Sequence, residues 1–248
     1  MIPIGDEKVP GSGLGLVTVL FLAINVIVFI VLQLPDADQS FTYGYSVVPQ
    51  EITTGIDLVE PQVVEAQGEQ VEVPQAPGPD PIFLTLLTSM FMHGGWLHLA
   101  GNMLFLWIFG DNVEHTMSQP VYIAFYLIAG LVGTFAQIFV DSDSVIPSLG
   151  ASGAISGVLG AYVVLFPRNQ VKVFLGQFLR VVPAFVVIGM WAVLQFVNGI
   201  GSIAVSEQTG GVAYMAHIGG FVAGLVAGLI ARAAGATNRI GASPYATR

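Results

Sequence analysis

Apolar residues fall in six long runs along this chain, each close to the about 20 helical residues that cross a bilayer. The runs are Leu14–Leu34, Trp96–Val113, Val121–Val140, Ser152–Phe166, Val181–Gly199 and Val212–Ala231. The fourth is short and is closed by Pro167-Arg168, a helix stop followed by an interfacial cation. The fifth contains Pro183, which a membrane helix tolerates near its start. Between the first two runs lies a polar stretch, about Pro35 to Ser89. Its middle, Asp57 to Asp80, is rich in Glu, Gln, Val and Pro and has no Lys or Arg. That piece reads as an extended acidic loop without regular structure. Ile82 to Met92 is apolar but too short to span, and reads as an interfacial or re-entrant helix. The pattern predicts an all-α membrane protein, a six-helix bundle.

Composition supports a polytopic membrane protein: 54% of residues are hydrophobic and 9% charged, against about 25% charged in soluble domains. Leu14–Leu34 is too long for a cleavable signal core and is read as a retained first span. The absence of cysteine excludes disulfides, thiolate catalysis and sulfur-ligated metals. Charge then sets the orientation. With the N-terminus inside, all seven basic residues (Lys8, Arg168, Lys172, Arg180, Arg232, Arg239 and Arg248) fall on the cytoplasmic side or its interface. The acidic loop, Asp141, Asp143 and Glu207 fall outside. The expected organisation is a cytoplasmic segment 1–13, a membrane domain 14–234 that includes the extracytoplasmic loop at about 35–90, and a cytoplasmic tail 235–248.

This topology makes spans two, four and six run from outside to inside. Ser152 lies 16 residues before Arg168, and His217 lies 15 before Arg232. At about 1.5 Å per residue both sit roughly 22–24 Å above the inner boundary, and so share one depth. His98 and Asn102 lie near the outer end of span two, four apart and on one face. Polar groups at membrane depth are costly and mark functional sites. A serine hydroxyl needs a base, and His217 is the one candidate base in the last four spans. Ser152 opens its span, where backbone N–H groups favour an oxyanion. No buried Asp or Glu stands ready to orient the histidine, so a dyad is expected. Gly153-x-x-x-Gly157 and Gly220-x-x-x-Gly224-x-x-x-Gly228 give spans four and six small faces for close approach. Taken singly, these residues have blander readings. A lone serine in a membrane helix is more often packing, and Ser148 and Ser156 have the same claim as Ser152 on polarity alone; His93 reads as a loop pin. His115 and the three tryptophans read as interfacial or packing groups, and Asp111 and Glu114 as helix-end, loop-bonding groups. The coincidence in depth of Ser152, His217, His98 and Asn102 outweighs those readings. If His217 is the base, activity falls in acid as it becomes charged.

Three pieces together resemble the rhomboid family of intramembrane serine proteases. They are His93-Gly-Gly-Trp-Leu-His98-Leu-Ala-Gly-Asn102, Gly150-Ala-Ser152-Gly153 and Ala216-His217-Ile-Gly-Gly220, in the family's order on spans two, four and six. The resemblance covers about Leu14 to Ala234. It implies Ser152 as nucleophile and His217 as general base. It also implies an oxyanion hole from Asn102, His98 and the Ser152 backbone N–H. His93, Gly150 and Gly153 would be structural supports. Span five and the 199–211 loop would cap the site, and water would enter from the outer face. Departures are Ser156 where some members stack an aromatic on the histidine, the absence of a Trp-Arg pair in the first loop, and the acidic insertion 57–80. With Ser156 there, Tyr214 or Phe221 are candidates to hold His217.

The expected function is an intramembrane serine endopeptidase in the cell membrane, its active site opening to the extracytoplasmic side. Its partners would be transmembrane protein substrates and the lipid bilayer, with no nucleic acid, metal or cofactor; nothing in the sequence sets an oligomeric state. The alternative is a catalytically inactive rhomboid-like protein that binds membrane helices. Such proteins usually lose the serine or the histidine, and this chain keeps both. A small transporter or channel lacks support from an inverted repeat or intramembrane charges. No His-Glu-x-x-His occurs for a metalloprotease, and no pair of buried Asp for an aspartyl protease.

Overall fold

A computed structural model describes residues 1–9, 13–66, 68–205 and 212–236. The chain opens with strand β1 (Ile2–Asp6) and helix α1 (Leu16–Ile27), which continues as π-helical turns to Gln33. Short helices α2 (Ser40–Gly44) and α3 (Pro49–Thr54) precede strands β2 (Gln62–Ala66) and β3 (Glu69–Val73). Three short helical pieces follow, with α4 (Thr85–Thr88) flanked by 3₁₀ turns at 82–84 and 89–91. The rest is α5 (Trp96–Glu114), α6 (Gln119–Val140), α7 (Ser152–Leu165), β4 (Gln170–Leu175), β5 (Phe178–Pro183), α8 (Ala184–Val205) and α9 (Tyr214–Ala233).

Each predicted apolar run holds a helix. Leu16–Gln33, Gln119–Val140 and Tyr214–Ala233 are long and apolar enough to cross a bilayer on their own. Ile82–Phe91 and Trp96–Thr116 form a pair bent by 75°, so the short apolar stretch before α5 is a bent entry to it. The molecule is a mostly helical, multi-pass membrane protein.

The all-α expectation needs correction, because two sheets are present. β1, β4 and β5 form one antiparallel sheet in the order β1-β4-β5. Val181–Pro183, expected to begin the fifth span, belongs to β5, and the helix starts at Ala184. Val181 and Val182 are β-branched and Pro183 cannot donate into a helix, so the chain stays extended until Ala184. The acidic insertion is also structured: β2 and β3 pair as an antiparallel hairpin across Gly68, whose φ is +79°.

Packing follows the logic of a membrane bundle, with small residues inside and large apolar residues outside. On α9 the buried residues are Gly220, Phe221, Gly224 and Gly228, whereas Val222, Val226, Leu229 and Ile230 are exposed. A Cβ on Gly220 would collide with the Gly153 carbonyl oxygen, and one on Gly224 with that of Gly157. This backbone-to-backbone approach welds α7 to α9, with α6 packed against both.

At the end of the bundle away from Ser152, polar residues tie β1 to α5 and α7. Asn112 donates to the Asp6 carboxylate and the Glu7 carbonyl, both at 2.7 Å, and accepts from Val9 N–H at 2.9 Å. Tyr162 donates to Asp6 at 2.6 Å, and Lys8 reaches Asp111 at 2.9 Å. Burial raises the Asp6 pKa although Tyr162 and Lys8 pull it down. Glu114 accepts the Val17 and Thr18 backbone N–H groups at 3.0 and 2.8 Å. It thereby caps α1, whose own N-cap, Gly15, has no side chain to do so.

Candidate active site

Ser152 is the first residue of α7, and the turn before it is set by Gly150 at φ +140°. That conformation favours glycine, and space requires it too: a Cβ there would lie 2.9 Å from His98 Cε1 and 3.0 Å from its Nε2. The turn is pinned by Gly150 N–H donating to the Ser89 carbonyl at 2.9 Å. His217 lies in the first turn of α9. Because α7 and α9 touch through glycines one and two turns further on, these two helix starts are held side by side. Ser152 Oγ is 2.7 Å from His217 Nε2.

The tautomers of both histidines follow from their other partners. His217 Nδ1 is 2.8 Å from Gln195 Oε1, an amide oxygen that can only accept, so Nδ1 carries the hydrogen. The bare Nε2 therefore faces Ser152 and can take its proton. His98 Nδ1 accepts Gly94 N–H at 3.3 Å, so its Nε2 carries the hydrogen, on the ring edge that faces Gly150 and Ser152. Asn102, one turn after His98 on α5, is buried, and its Nδ2 has no hydrogen-bond partner among the described residues. His98, Asn102, Ser152, Ser156, Trp191, Tyr214 and His217 border one open cleft of about 880 Å³. The cleft also reaches the loop of residues 141–149 before Ser152, including Asp141 and Ser144.

Of the supports, His93 is fully buried and clasped by backbone bonds, donating its N–H to Gln33 Oε1 at 2.9 Å while its carbonyl accepts Gln33 Nε2 at 3.0 Å. Its ring meets His98 edge-on, with centroids 5.1 Å apart. Gly153 lies in the contact with α6 and α9, near the carbonyls of Gly130 and Ala216. Ser156 turns back to its own helix and donates to the Ser152 carbonyl at 2.6 Å. Tyr214 and Trp191 flank the His217 ring at 6.4 and 6.1 Å between centroids, and Phe221 packs on Trp191 instead. The 206–211 part of the expected cap loop lies outside the described residues.

Sequence reasoning missed Gln195. Trp191 reads from sequence as ordinary packing, and the groups considered to orient His217 are a carboxylate, Tyr214 or Phe221. The signal was there, since Gln195 is a polar side chain in a mostly apolar span, the criterion that singled out His217.

The long loop between α1 and α5, which includes the acidic stretch, closes over the segment leading to Ser152. Val47 and Ser148 pair as an isolated antiparallel bridge, and Gln50 N–H donates to the Ser144 carbonyl at 3.0 Å. Gln75 Nε2 donates to the Val145 carbonyl at 2.6 Å. Inside the loop, Glu51 accepts Leu58 N–H at 2.9 Å and Asp57 accepts Gly78 N–H at 3.0 Å. Burial pushes the Glu51 carboxyl up to about 7, with Asp57 nearby adding to the rise.

Residues 82–234 match the family model described as the Rhomboid domain. The chain is 32% identical over 214 residues to rhomboid protease GluP of Bacillus subtilis (strain 168), covering 86% of this chain and 35% of that protein. It is 29% identical over 149 residues to rhomboid protein 1, mitochondrial, of Saccharomyces cerevisiae, covering 58% of this chain and 41% of the relative. Presenilin-associated rhomboid-like protein, mitochondrial, of Bos taurus is 38% identical over 96 residues, covering 38% of this chain and 26% of the relative. The chain thus spans well under half the length of these curated relatives. The family-model match takes in α5, α7 and α9 with Ser152, His217, His98 and Asn102, and on it the chain belongs to the rhomboid family.

Proposed function

We propose that this chain is an intramembrane serine endopeptidase that hydrolyses peptide bonds in or near the transmembrane segments of other membrane proteins. The observation that carries the reading is the 2.7 Å contact between Ser152 Oγ and a His217 Nε2 left bare by the Nδ1–Gln195 hydrogen bond. Ser152 Oγ attacks the scissile carbonyl carbon as its proton passes to His217 Nε2. The carbonyl oxygen becomes an oxyanion, for which His98 Nε2–H, Asn102 Nδ2–H and the Ser152 backbone N–H are the donors. When the tetrahedral intermediate collapses, the C–N bond breaks and the imidazolium returns the proton to the leaving amine. A water deprotonated by His217 then attacks the acyl-serine, and collapse frees the acid and Ser152. Gln195 keeps the imidazole ring and its tautomer in place through this cycle. It stands where a triad has a carboxylate, but as a neutral acceptor.

In this reading all six long helices span the membrane with both termini cytoplasmic. The cleft opens to the extracytoplasmic side of the cell membrane, from which water enters. The basic residues and the loop-covered Ser152 support that orientation by lying at opposite ends of the bundle. The test is reconstitution in liposomes with a fluorogenic single-pass substrate. The unsubstituted protein should cleave it and be labelled by a fluorophosphonate. Ser152→Ala and His217→Ala should lose cleavage by at least about 10³-fold. Full activity in either variant overturns the proposal.

A further inference from the structure

The β4–β5 hairpin carries a charge and burial pattern that the proposed peptidase does not use. Val171 and Val173 of β4 are fully buried against the bundle, but support ends there. Two residues further on, Leu175 is 41% exposed, and across the turn Phe178 is 57% exposed. Pairing places Leu175 opposite Phe178 and Phe174 opposite Leu179. Successive strand residues point to opposite faces. Leu175 and Phe178 therefore occupy one face of the tip and Phe174 and Leu179 the other, and all four are exposed. Behind the tip stand Lys172 and Arg180, both exposed, and Arg180 folds its guanidinium over the Phe178 ring at 5.6 Å. No Asp or Glu occurs between Arg168 and Pro183.

We propose that this hairpin tip is an interfacial membrane anchor, its four apolar side chains among the upper acyl chains and its cations on anionic phospholipid headgroups. A partner seated on one face of the hairpin would leave the other apolar face in water; only a surrounding medium covers both. The sheet adjoins the ends of α7 and α8, so the tip is held at the boundary where those helices leave the apolar layer. Lys172 and Arg180, set back from the apex by four and three residues, then lie nearer the phosphates, and their aliphatic stems share the apolar layer. The hairpin carries no acidic side chain, and the two that its sheet brings near, Asp6 and Glu7, stand beside Val171 and Gln170 at the end away from the tip, where their repulsion of anionic lipid is weakest.

The chain has no cysteine, so single labels can be placed without background. Spin labels would be attached in Phe178→Cys, Leu175→Cys and, as a water-exposed reference in β3, Glu69→Cys. The full chain would be reconstituted in phosphatidylcholine with or without phosphatidylglycerol. Collision with oxygen should exceed collision with a water-soluble nickel chelate at 175 and 178, and the order should reverse at 69. Phosphatidylglycerol should shift 178 deeper, and adding Lys172→Gln with Arg180→Gln should abolish that shift. Nickel accessibility at 175 and 178 equal to that at 69 overturns the proposal. So does spin–spin broadening that grows with protein-to-lipid ratio, which would make a second copy the occupant. A depth that ignores phosphatidylglycerol overturns the assignment to anionic headgroups. None of these readings depends on Ser152 or on peptidase activity.

Discussion

At one end α5 carries Asp111, Asn112 and Glu114, and at the other it carries His98 and Asn102. The first set is buried and each member is answered. Asn112 uses its amide on Asp6, Glu7 and Val9, Glu114 holds three donors from the start of α1, and Asp111 holds Lys8. The second set is incomplete: Asn102 Nδ2 is buried with no partner among the described residues, and the His98 Nε2–H points at the turn before Ser152. The same helix thus distinguishes two uses of polarity inside an apolar bundle. Saturated groups fasten elements together. A buried donor without an acceptor costs stability, on the order of 1–3 kcal/mol, and persists where something else supplies the acceptor. On the proposed mechanism that acceptor is the oxyanion.

Substitution at the two ends of α5 should separate these roles most sharply. Asn102→Ala is expected to lower kcat by about 10²–10³-fold, as loss of one oxyanion donor does, and to leave the thermal midpoint in detergent unchanged or slightly raised. Asn112→Ala is expected to do the reverse. It removes one partner each from the Asp6 carboxylate, the Glu7 carbonyl and the Val9 N–H and should cost roughly 3 kcal/mol of stability, with kcat per folded molecule retained. Thermal unfolding followed alongside cleavage of one substrate checks both. A stability loss in Asn102→Ala equal to that in Asn112→Ala would erase the distinction.

The two ends also differed in how legible they were from sequence. Ser152, His217, His98 and Asn102 stood out because each is polar in an apolar run and because topology fixes depth. Gly220 and Gly224 were readable as a contact face from their four-residue spacing. The opposite end was opaque because its partners are distant: Asp6 meets Tyr162 across 156 residues, and Val17 meets Glu114 across 97. Asp111 and Glu114 could be read as helix-end groups, but what they bind depends on β1 folding back, which no local pattern announces. The β-sheet was missed for the same reason, since Val181–Val182 reads as the start of the fifth apolar run and Gln170–Leu175 announces no element until a partner strand is known. Gln195 was missed because carboxylates and aromatic rings, not amides, were sought beside the histidine.

Gln195 tests whether a saturated bond within the site behaves as fastening or as function. It is answered, like the groups at the far end, yet its partner is His217 Nδ1. Gln195→Leu frees the imidazole to rotate and to take either tautomer, so kcat should fall by about 10²-fold while KM changes little. Gln195→Glu, which keeps the acceptor oxygen, should recover a substantial part of that loss. Its carboxylate should also hold the imidazolium, moving the acid limb of the pH profile to higher pH. A purely packing role would make the two variants alike and leave the profile in place.

The smallest effect concerns Glu51, a buried carboxyl near the site end that has Leu58 N–H as its hydrogen-bond donor and Asp57 close by. It is only part-answered, and so falls between the two ends of α5. Its pKa is raised from an ordinary 4.5 to about 7, burial being the main cause. The docked loop therefore binds a proton more tightly than the undocked one. The contribution of Glu51 is full below about pH 4.5 and is lost as pH rises through about 7. Loop docking should weaken from pH 5 to pH 8, read as faster proteolysis after the loop opens, with the protease calibrated at each pH on an unfolded control. Glu51→Gln, neutral throughout, should remove the slope and match the low-pH behaviour of the unsubstituted chain. If the slope survives Glu51→Gln, the carboxyl is a saturated fastening of the kind seen around Asn112, and the pH dependence of the loop belongs to other groups.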